Sequence, residues 1–336
     1  MNERPTYSNT SLATFRRCAE EYRLRYVLLR KSRARASTAL RFGTLFHVAL
    51  NSWWQHSGDP LAKLQAASDE IDFASETEDQ DPFETVKARC LITGYTARWG
   101  HEHLDTLGVE VQFREPILGI DGDLVGAIDA IVRAPLTTSP VVDWWRRVRV
   151  VEHKTTSSEI SPTSDYWRNV VTLDPQVSTY MNAATIMGYD PIDTLYDVIR
   201  KPAIVPRLAT PEASRKWTKP TLKEPIPRLY ANQSLHDETP REYEDRLTAD
   251  IAEDPARYFA RVSVVRLPED HEAHHRDVTG TVRLIQFAQR ENVYPRSPGA
   301  CERYGRLCEY HDVCSRVTSI DDDTRFETNT RKEFSK

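Results

Sequence analysis

The residues that could most clearly carry out chemistry lie in two apolar segments that follow one another along the chain. Asp129 ends the motif GAID, and Glu152 and Lys154 lie in VVEHKTT. Residues two apart on a β-strand point to the same face, so Glu152 and Lys154 would lie side by side. An acid and an amine are costly to bury unless they pair or bind a metal ion. The alternative is an ordinary ion pair on a solvated face, but the two valines before Glu152 indicate a mostly buried strand.

Two helical motifs carry further candidate residues. His47 ends FGTLFH, where Gly43 would allow close backbone approach and the imidazole could bind a metal ion. Taken alone, such a histidine is equally compatible with a structural role. Gln176 and Tyr180 are four residues apart, so they share one face of a helix and could both reach a phosphate or a base.

Cysteine forms a third constellation. Cys301, Cys308 and Cys314 lie within CERYGRLCEYHDVC, Cys18 stands near the N-terminus, and Cys90 lies in a helical pattern typical of an ordinary buried thiol. Structural zinc usually uses CxxC-type pairs, which are absent here, so the spacing favours zinc less. An iron–sulfur cluster tolerates more distributed ligands. Unrelated free thiols would be exposed in so polar a segment, and a metal centre is the better interpretation.

The elements that must position these residues are predicted from periodicity. Helical spacing predicts helices over 44–56 and 84–105, with an acidic loop over 68–82 between them. Period-two alternation predicts three consecutive strands, 109–120, 123–134 and 147–156, with a long Trp-containing connection over 135–147. The remaining predicted elements are a helix at 174–188, a strand at 193–202, a loop over 203–240, helices at 240–259 and 269–291, and a strand at 258–267 between those two helices.

Charge and composition limit the class of protein. The chain has 336 residues and a net charge of -5, and it lacks both an apolar run of about 20 residues and a signal-peptide pattern, so we expect a cytoplasmic protein rather than a membrane or secreted one. The average acidity argues against a nucleic-acid partner, but it conceals a local excess. Between Arg16 and Arg41 lie nine basic residues and two acids, with apolar positions at helical spacing. This predicts an amphipathic helix whose basic face is either simply solvated or binds phosphates.

Taken in order, the motifs resemble one family. They are SLATFRRC, the GxxxH helix, the acid in VEVQF, GxID, VxExK, QxxxY and the terminal three-cysteine segment. Together they are similar to the RecB-type branch of the PD-(D/E)XK nucleases. That branch includes CRISPR-associated RecB-like exonucleases, the AddB nuclease domain and related phage exonucleases, in which four cysteines hold a [4Fe–4S] cluster. The resemblance spans about 11–200 and 294–316. Two features depart from it: the C-x6-C-x5-C spacing and the long insertion between Asp129 and Glu152.

The resemblance implies a fold and a set of roles. The fold would be a restriction-endonuclease-like α/β core, a mixed central sheet flanked by helices, with a helical N-terminal region and a C-terminal iron–sulfur segment. The expected regions are 1–107 (helical, with the basic helix and Cys18), 108–202 (nuclease core), 203–293 (loop and helical extension), 294–316 (cysteine segment) and 317–336 (disordered tail). The implied catalytic residues are Asp129, Glu152, Lys154 and Glu110, and Glu115 is a near alternative to Glu110. The implied metal ligands are His47, Asp129, Glu152 and the carbonyl of His153, and the implied cluster ligands are Cys18, Cys301, Cys308 and Cys314. The expected DNA-binding residues are Gln176, Tyr180, Arg16, Arg17 and Arg23.

The implied activity is Mg²⁺- or Mn²⁺-dependent hydrolysis of DNA from its ends. An anionic phosphodiester needs positive charge and a deprotonated water, and divalent ions held by hard oxygen ligands supply both. We expect DNA as the partner, with a further protein partner in a recombination, repair or CRISPR complex. The alternative is a nucleic-acid-binding or complex-assembly module with a vestigial nuclease core, and a structural zinc site is the alternative to the cluster.

Overall fold

The computed structural model describes residues 4–34, 38–56, 58–77, 81–102, 104–133, 147–168, 173–221, 225–230, 232–303 and 305–329. The predicted connection over 135–147 therefore lies almost entirely outside the described residues. Within the described ranges the helices are α1 (Asn9–Arg17), α2 (Ala19–Tyr22), α3 (Thr38–Gln55), α4 (Pro60–Thr77), α5 (Pro82–Trp99), α6 (Pro175–Ile186), α7 (Pro240–Glu253), α8 (Pro268–Glu291) and α9 (His311–Cys314). The strands are β1 (Thr6–Tyr7), β2 (Arg30–Ser32), β3 (Asp105–Pro116), β4 (Asp123–Arg133), β5 (Val148–Thr156), β6 (Pro191–Arg200), β7 (Phe259–Val264), β8 (Glu302–Arg303), β9 (Arg306–Leu307) and β10 (Phe326–Thr328).

The centre of the molecule is a mixed six-stranded sheet. Its strands run in the order β1-β4-β5-β6-β7, with β3 also paired to β4. β5 and β6 are parallel, as are β1 and β4, whereas β3–β4, β4–β5 and β6–β7 are antiparallel. The predicted α/β fold with a mixed central sheet flanked by helices is confirmed, and so are the three consecutive strands that carry Asp129 and Glu152.

Helices cover both faces of the sheet, which explains why its central strands are nearly continuous apolar runs. Val151 of β5 faces a core built with α3, α4, α5 and α7. Its neighbour Val150 faces the opposite core, built with α1, α6 and α8. The first core buries large side chains such as Trp53, Trp54 and Tyr95, each contributing a few kcal/mol of apolar burial, on the order of 2. This packing fixes the sheet that carries the candidate site.

Two predicted elements near the N-terminus differ from the structure. The basic helix predicted over 16–41 is broken, because α1 ends at Arg17 and Cys18 takes an extended conformation (φ -158°, ψ 112°) before α2 begins. The acidic loop predicted over 68–82 is largely helix α4, because Ala67 and Ile71 on one face of that helix are fully buried against the core. The acidic composition of this stretch therefore obscured a helix that buries one face against the core.

The predicted disordered tail is also wrong for residues 317–329. β10 pairs with β2 in antiparallel register, and Phe326 is 1 % exposed because it packs with Leu24 and Tyr310 in a small satellite core. The polar composition of this stretch conceals one anchoring aromatic residue. The loop predicted over 203–240 and the helices and strand that follow it are confirmed by α7, β7 and α8. The five regional boundaries remain a prediction.

No helix in the described part of the chain is both long enough and apolar enough to cross a membrane.

Candidate active site

Asp129 and Glu152 lie where two neighbouring strands separate. The described β4–β5 ladder ends at the pair Ala130–Val151, and Asp129 and Glu152 are the next residues on each strand. The backbone N–H of His153 donates to Oδ2 of Asp129 at 2.7 Å, so this carboxylate takes the place of a ladder acceptor. The two acids therefore meet at the opening between the strands, where a ligand can reach them.

Lys154 joins the acids to helix α6. Its ammonium group donates to Oε1 of Glu152 and to Oε1 of Gln176. The amide of Gln176 in turn donates to the hydroxyl of Tyr180 at 3.1 Å. The first turn of α6 is fixed by Asp174, whose carboxylate accepts the backbone N–H of Gln176 at 2.9 Å. The predicted shared face of Gln176 and Tyr180 is confirmed, and it is directed at the lysine.

Burial dominates the protonation of this cluster. It raises the pKa of both Glu152 and Asp129, and the charge of Lys154 opposes that rise. Burial also lowers the pKa of Lys154, but the facing carboxylates more than offset this and raise it overall. Glu152 is 1 % exposed, and its Oε2 has no hydrogen-bond partner among the described residues. A buried carboxylate whose oxygen has no hydrogen-bond partner is costly unless a positive charge lies beside it, and a bound cation would supply that charge.

Helix α3 brings His47 to the same place. The imidazole lies edge-on to the ring of His153, with 6.4 Å between the ring centroids. Burial first, and then the positive charges around it, lower the pKa of His47 to about 4. It is therefore neutral near pH 7, which is the form that binds metal ions. A Cβ at Gly43 would lie 3.4 Å from the hydroxyl of Thr155, so the glycine allows α3 to pass close to the end of β5.

Glu110 completes the group of acids. It lies in β3 with a φ of 50°, in the left-handed region that non-glycine residues rarely adopt. Its Oε1 accepts a hydrogen bond from the side-chain amide of Asn51 at 2.8 Å, and its charge adds to the raised pKa of Asp129, which burial dominates. Backbone strain at such a position is typical of functional sites. Glu115 instead lies on β3 between Phe113 and Ile117 of the second core, away from this group.

A buried network of charged and hydrogen-bonded side chains holds the ring of His153 in place. Nδ1 of His153 lies 3.0 Å from Oδ2 of Asp197, its partner across the parallel β5–β6 ladder. Arg261 of β7 donates to Asp197 at 3.0 Å, and Tyr95 donates to it at 2.6 Å. Burial raises the pKa of Asp197, but Arg261 and these hydrogen bonds outweigh it and lower the pKa to about 2. The carboxylate stays ionised and fixes the strand that carries Glu152 and Lys154.

A groove of about 1040 Å³ opens from this cluster. One end is lined by His47, Glu110 and Lys154, and the other by the β8–β9 hairpin. The cations that line it are Arg17, Arg25, Lys154, Lys201, Arg303 and Arg306. Three acids, Glu21, Glu110 and Glu309, also line it, and the excess of cations over acids suits a polyanionic strand.

Of the three arginines predicted to contact DNA, the structure places one in the groove. Arg17 lines it and is held there by an ion pair with Glu21 at 2.6 Å. Arg16 lies outside it and donates to the hydroxyl of Thr281 at 2.8 Å. Arg23 also lies outside it and pairs with Glu20 at 2.7 Å.

Comparison with known families gives the identity of this arrangement. The sequence model of the PD-(D/E)XK nuclease superfamily matches residues 6–315, which is most of the chain. The chain belongs to the PD-(D/E)XK nuclease superfamily. Glu152-His153-Lys154 matches the (D/E)XK part of that name, and Asp129 matches the acid that precedes it. Nucleases of this superfamily hydrolyse nucleic-acid phosphodiesters and usually use divalent metal ions such as Mg²⁺. No curated protein matches the chain.

The nuclease carries its four predicted cluster cysteines around a second cavity. Cys18, Cys301, Cys308 and Cys314 all line this space of about 480 Å³. Burial raises the pKa of Cys308 to about 11. Burial also raises the pKa of Cys314, and the neighbouring thiols Cys18 and Cys301 add to the effect because like charges would repel. The fifth cysteine, Cys90, is buried elsewhere beside Thr248.

Contacts between the two ends of the chain bring Cys18 to the other three cysteines. The backbone N–H of Glu20 donates to the carbonyl of Pro295 at 3.4 Å. Glu309 binds the guanidinium of Arg25 and accepts the backbone N–H of Ser32. These contacts hold the cysteine segment against the helix that begins after Cys18.

Neither cluster forms a closed cage of ligands as it stands. Across the described residues, no group of three or more His, Cys, Asp or Glu side chains is already arranged to hold a metal ion. In the acidic cluster, Lys154 occupies one oxygen of Glu152, and the N–H of His153 occupies one oxygen of Asp129. The donor types still suit the expected groups: hard oxygens and a neutral imidazole for Mg²⁺ or Mn²⁺, and four thiols for an iron–sulfur cluster.

Four residues of the site were not identified from the sequence, namely Asn51, Asp197, Arg261 and Lys201. Asn51 lies four residues after His47 on the same helical face, a spacing that could have suggested it. Asp197 is an acid inside an apolar strand, the same signal that singled out Asp129. Arg261 and Lys201 gave no local signal, since only the pairing of β6 with β7 and with the end of β5 brings them to the site.

Proposed function

We propose that the protein is a Mg²⁺- or Mn²⁺-dependent DNA exonuclease of the RecB-like branch of its superfamily. The observation that supports this best is the cluster of Asp129, Glu152 and Lys154 at the point where β4 and β5 separate. It opens directly into a cation-lined groove large enough for a nucleic-acid strand. Recombination, repair or CRISPR processing, a protein partner in such a complex and a cytoplasmic location belong to the same proposal.

His47, Asp129, Glu152 and the carbonyl of His153 would hold the divalent ion. The unpartnered Oε2 of buried Glu152 and the neutral imidazole of His47 fit that role. When bound, the ion supplies Lewis acidity and makes water more acidic. Lys154 would orient the attacking water and stabilise negative charge on the phosphate, since its raised pKa keeps it charged. Glu110 would be the additional acid at the opposite wall of the opening.

The groove would direct one strand of DNA to these residues. Arg17 and the hairpin arginines Arg303 and Arg306 line it beside Lys154, and such cations would bind successive phosphates. Gln176 and Tyr180 would contact the DNA near the cleaved bond, as the family motif implies. A strand that enters by its end would account for exonuclease activity.

Cys18, Cys301, Cys308 and Cys314 would ligate a [4Fe–4S] cluster. Their common cavity and four-thiol donor set support this. Because the first ligand lies near the N-terminus and the last near residue 314, the cluster would close a loop of nearly the whole chain and stabilise its two ends. Zinc is the competing occupant.

The decisive experiment for the activity compares end-labelled linear, single-stranded and circular DNA, each with and without Mg²⁺ or Mn²⁺. We expect metal-dependent loss of linear DNA, and we expect Glu152→Gln and Lys154→Ala to abolish it. Glu253→Gln, an exposed acid at the end of α7, is the matched control. Full activity in Glu152→Gln would refute the assigned site. Binding of DNA by the wild type without cleavage of any substrate would favour a module with a vestigial core instead.

The cluster has a separate test. Protein prepared without oxygen should be brown and contain iron and sulfide, and Cys314→Ser should lose both the colour and thermal stability. Cys90→Ser should keep the colour, because that thiol lies outside the cysteine cavity. Colourless wild-type protein with stoichiometric zinc would overturn the cluster assignment in favour of zinc.

A further inference from the structure

Residues 203–239, here called the arm, connect β6 to α7, and the structure describes 203–221, 225–230 and 232–239 of them. None of its described residues is buried, in contrast to the strand before it and the helix after it. A segment of this length without a core is unusual in a folded domain and often serves a function. Its described parts are nonetheless joined by hydrogen bonds among themselves. The sequence of the arm includes proline at five positions between 206 and 227, which limits the backbone entropy lost on ordering.

Backbone pairing shapes the arm into a short antiparallel ribbon. Trp217 pairs with Leu229 in an isolated bridge. The N–H of Thr218 donates to the carbonyl of Arg228 at 2.8 Å, and the N–H of Tyr230 donates to the carbonyl of Lys216 at 3.0 Å. The ribbon is thus fixed by main-chain contacts that do not depend on which side chains it displays.

The pairing sets which side chains share a face. Residues opposite one another in an antiparallel pair point to the same side, and neighbours along the strand alternate. Lys216, Arg228 and Tyr230 therefore share one face, and Trp217 lies on the other. The two aromatic residues are 49 % (Trp217) and 46 % (Tyr230) exposed. Both rings are therefore open enough for a base to stack on them.

Charge identifies the kind of partner. Residues 214–231 contain five lysines and arginines and one acid, whereas the whole chain has a net charge of -5. The acids at the base of the arm, Asp237 and Glu238, are engaged by backbone N–H groups and by Arg246. Aromatic rings interleaved with cations are the combination that binds unpaired bases and their phosphates.

The arm also begins at the active site. The backbone N–H of Lys201 donates to the carbonyl of Thr156 at 2.7 Å, where the parallel strands β5 and β6 end together. Lys201 lines the cation-lined groove beside Lys154. The base of the arm therefore lies beside this part of the groove.

We propose that the arm is a second nucleic-acid site, in which unpaired bases stack on Tyr230 on one face of the ribbon and on Trp217 on the other, while neighbouring cations such as Lys216 and Lys219 bind phosphates. This rests on the proposed nuclease function and extends it, because the arm would hold single-stranded substrate beyond the residues that cleave it. The arm does not take part in the chemistry.

The test measures binding of fluorescent oligonucleotides to the full-length protein without divalent metal, so that no cleavage occurs. Trp217→Ala and Tyr230→Ala should each weaken binding of a single strand of roughly 30 nucleotides by about fivefold or more, the usual effect of one lost base–aromatic stack. Binding of an oligonucleotide of about 6 nucleotides, which is short enough to fill the groove alone, should change little. Phe287→Ala is the matched control, since Phe287 is 52 % exposed on α8 and also has an arginine, Arg290, over its ring.

The outcomes separate this proposal from the proposed function. Unchanged binding of the long strand in both arm variants would overturn it and point to a protein partner for the arm. Equal weakening with the short strand, or with a blunt duplex, would also overturn it, because stacking needs unpaired bases beyond the groove. Loss of long-strand binding together with a wild type that cleaves nothing would support the arm while refuting the nuclease. Lys216→Glu provides a second variant that leaves both aromatic rings in place.

Discussion

Glu115 offers a quantitative test of how the two candidate acids of β3 differ. The sequence presents Glu110 and Glu115 as near alternatives, but the structure places Glu110 in the groove and Glu115 in a core. Glu115 is 9 % exposed, and its Oε2 has no hydrogen-bond partner among the described residues. Burial alone raises its pKa from 4.5 to about 7. Glu115→Gln removes the ionisation and keeps the shape of the side chain.

The magnitude follows from the shift in pKa. Below its unfolded value of 4.5 the carboxyl is protonated in both states, so it has no effect on stability there. As the pH rises through the folded value of about 7, the unfolded state gives up its proton first and the folded state loses stability. The folded and unfolded pKa values differ by 2.5, and a difference of one corresponds to about 1.36 kcal/mol. The folded state therefore loses about 3 kcal/mol of stability in full above about pH 8. Glu115→Gln should therefore gain about 2–3 kcal/mol relative to the wild type between about pH 5 and about pH 8.

Urea unfolding of both proteins at these two pH values measures the difference directly. A buried amide that lacks partners costs about 1 kcal/mol or more at either pH, so the change between the two pH values is the quantity to compare. Nuclease activity provides the second readout: Glu115→Gln should keep it, and Glu110→Gln should lose it. A stability difference that is the same at both pH values would refute the buried, unpaired carboxyl, and loss of activity in Glu115→Gln alone would reverse the assignment of the two acids.

Three further predictions concern the groups that hold the site. Asp197→Asn should cost about 3 kcal/mol in free energy of unfolding, because it removes the buried partner of Arg261 and leaves that guanidinium paired with the more exposed Glu102. The double variant with Arg261→Gln should cost less than the sum, as a double-mutant cycle in urea would show. Gly126→Ala should cost about 1–3 kcal/mol, since its Cβ would lie 2.6 Å from the ring of Phe113, and Phe113→Leu should relieve most of this in thermal melts. Burial lowers the pKa of His274 from 6.5 in the unfolded chain to about 4 in the folded protein. The free energy of unfolding should therefore fall by about 1.4 kcal/mol per pH unit as the pH drops from 6.5 to about 4. His274→Gln should remove this pH dependence, which urea unfolding at several pH values would measure.

The strands and the catalytic motif were predictable because their signals are local. Asp129, Glu152 and Lys154 stand out as charges inside apolar runs, and the alternation that marks their strands is set by the burial of both sheet faces. Predictions failed where tertiary contacts override local composition. The acidic segment of α4 is helical because Ala67 and Ile71 pack into the core, and no sequence pattern pairs β10 with β2, because the two strands are nearly 300 residues apart.

The parallel pair β5–β6 explains why Lys154, Lys201 and the start of the arm lie at one edge of the sheet. In open α/β sheets, ligands bind in the crevice beyond the carboxyl ends of the strands. Lys154 lies near the end of β5, and Lys201 follows the end of β6. The chain after β6 must therefore start at the edge that carries Lys154, whatever its sequence, and the arm begins there. In the proposed function, the cations that line the groove at this edge would attract nucleic acid although the chain as a whole is acidic.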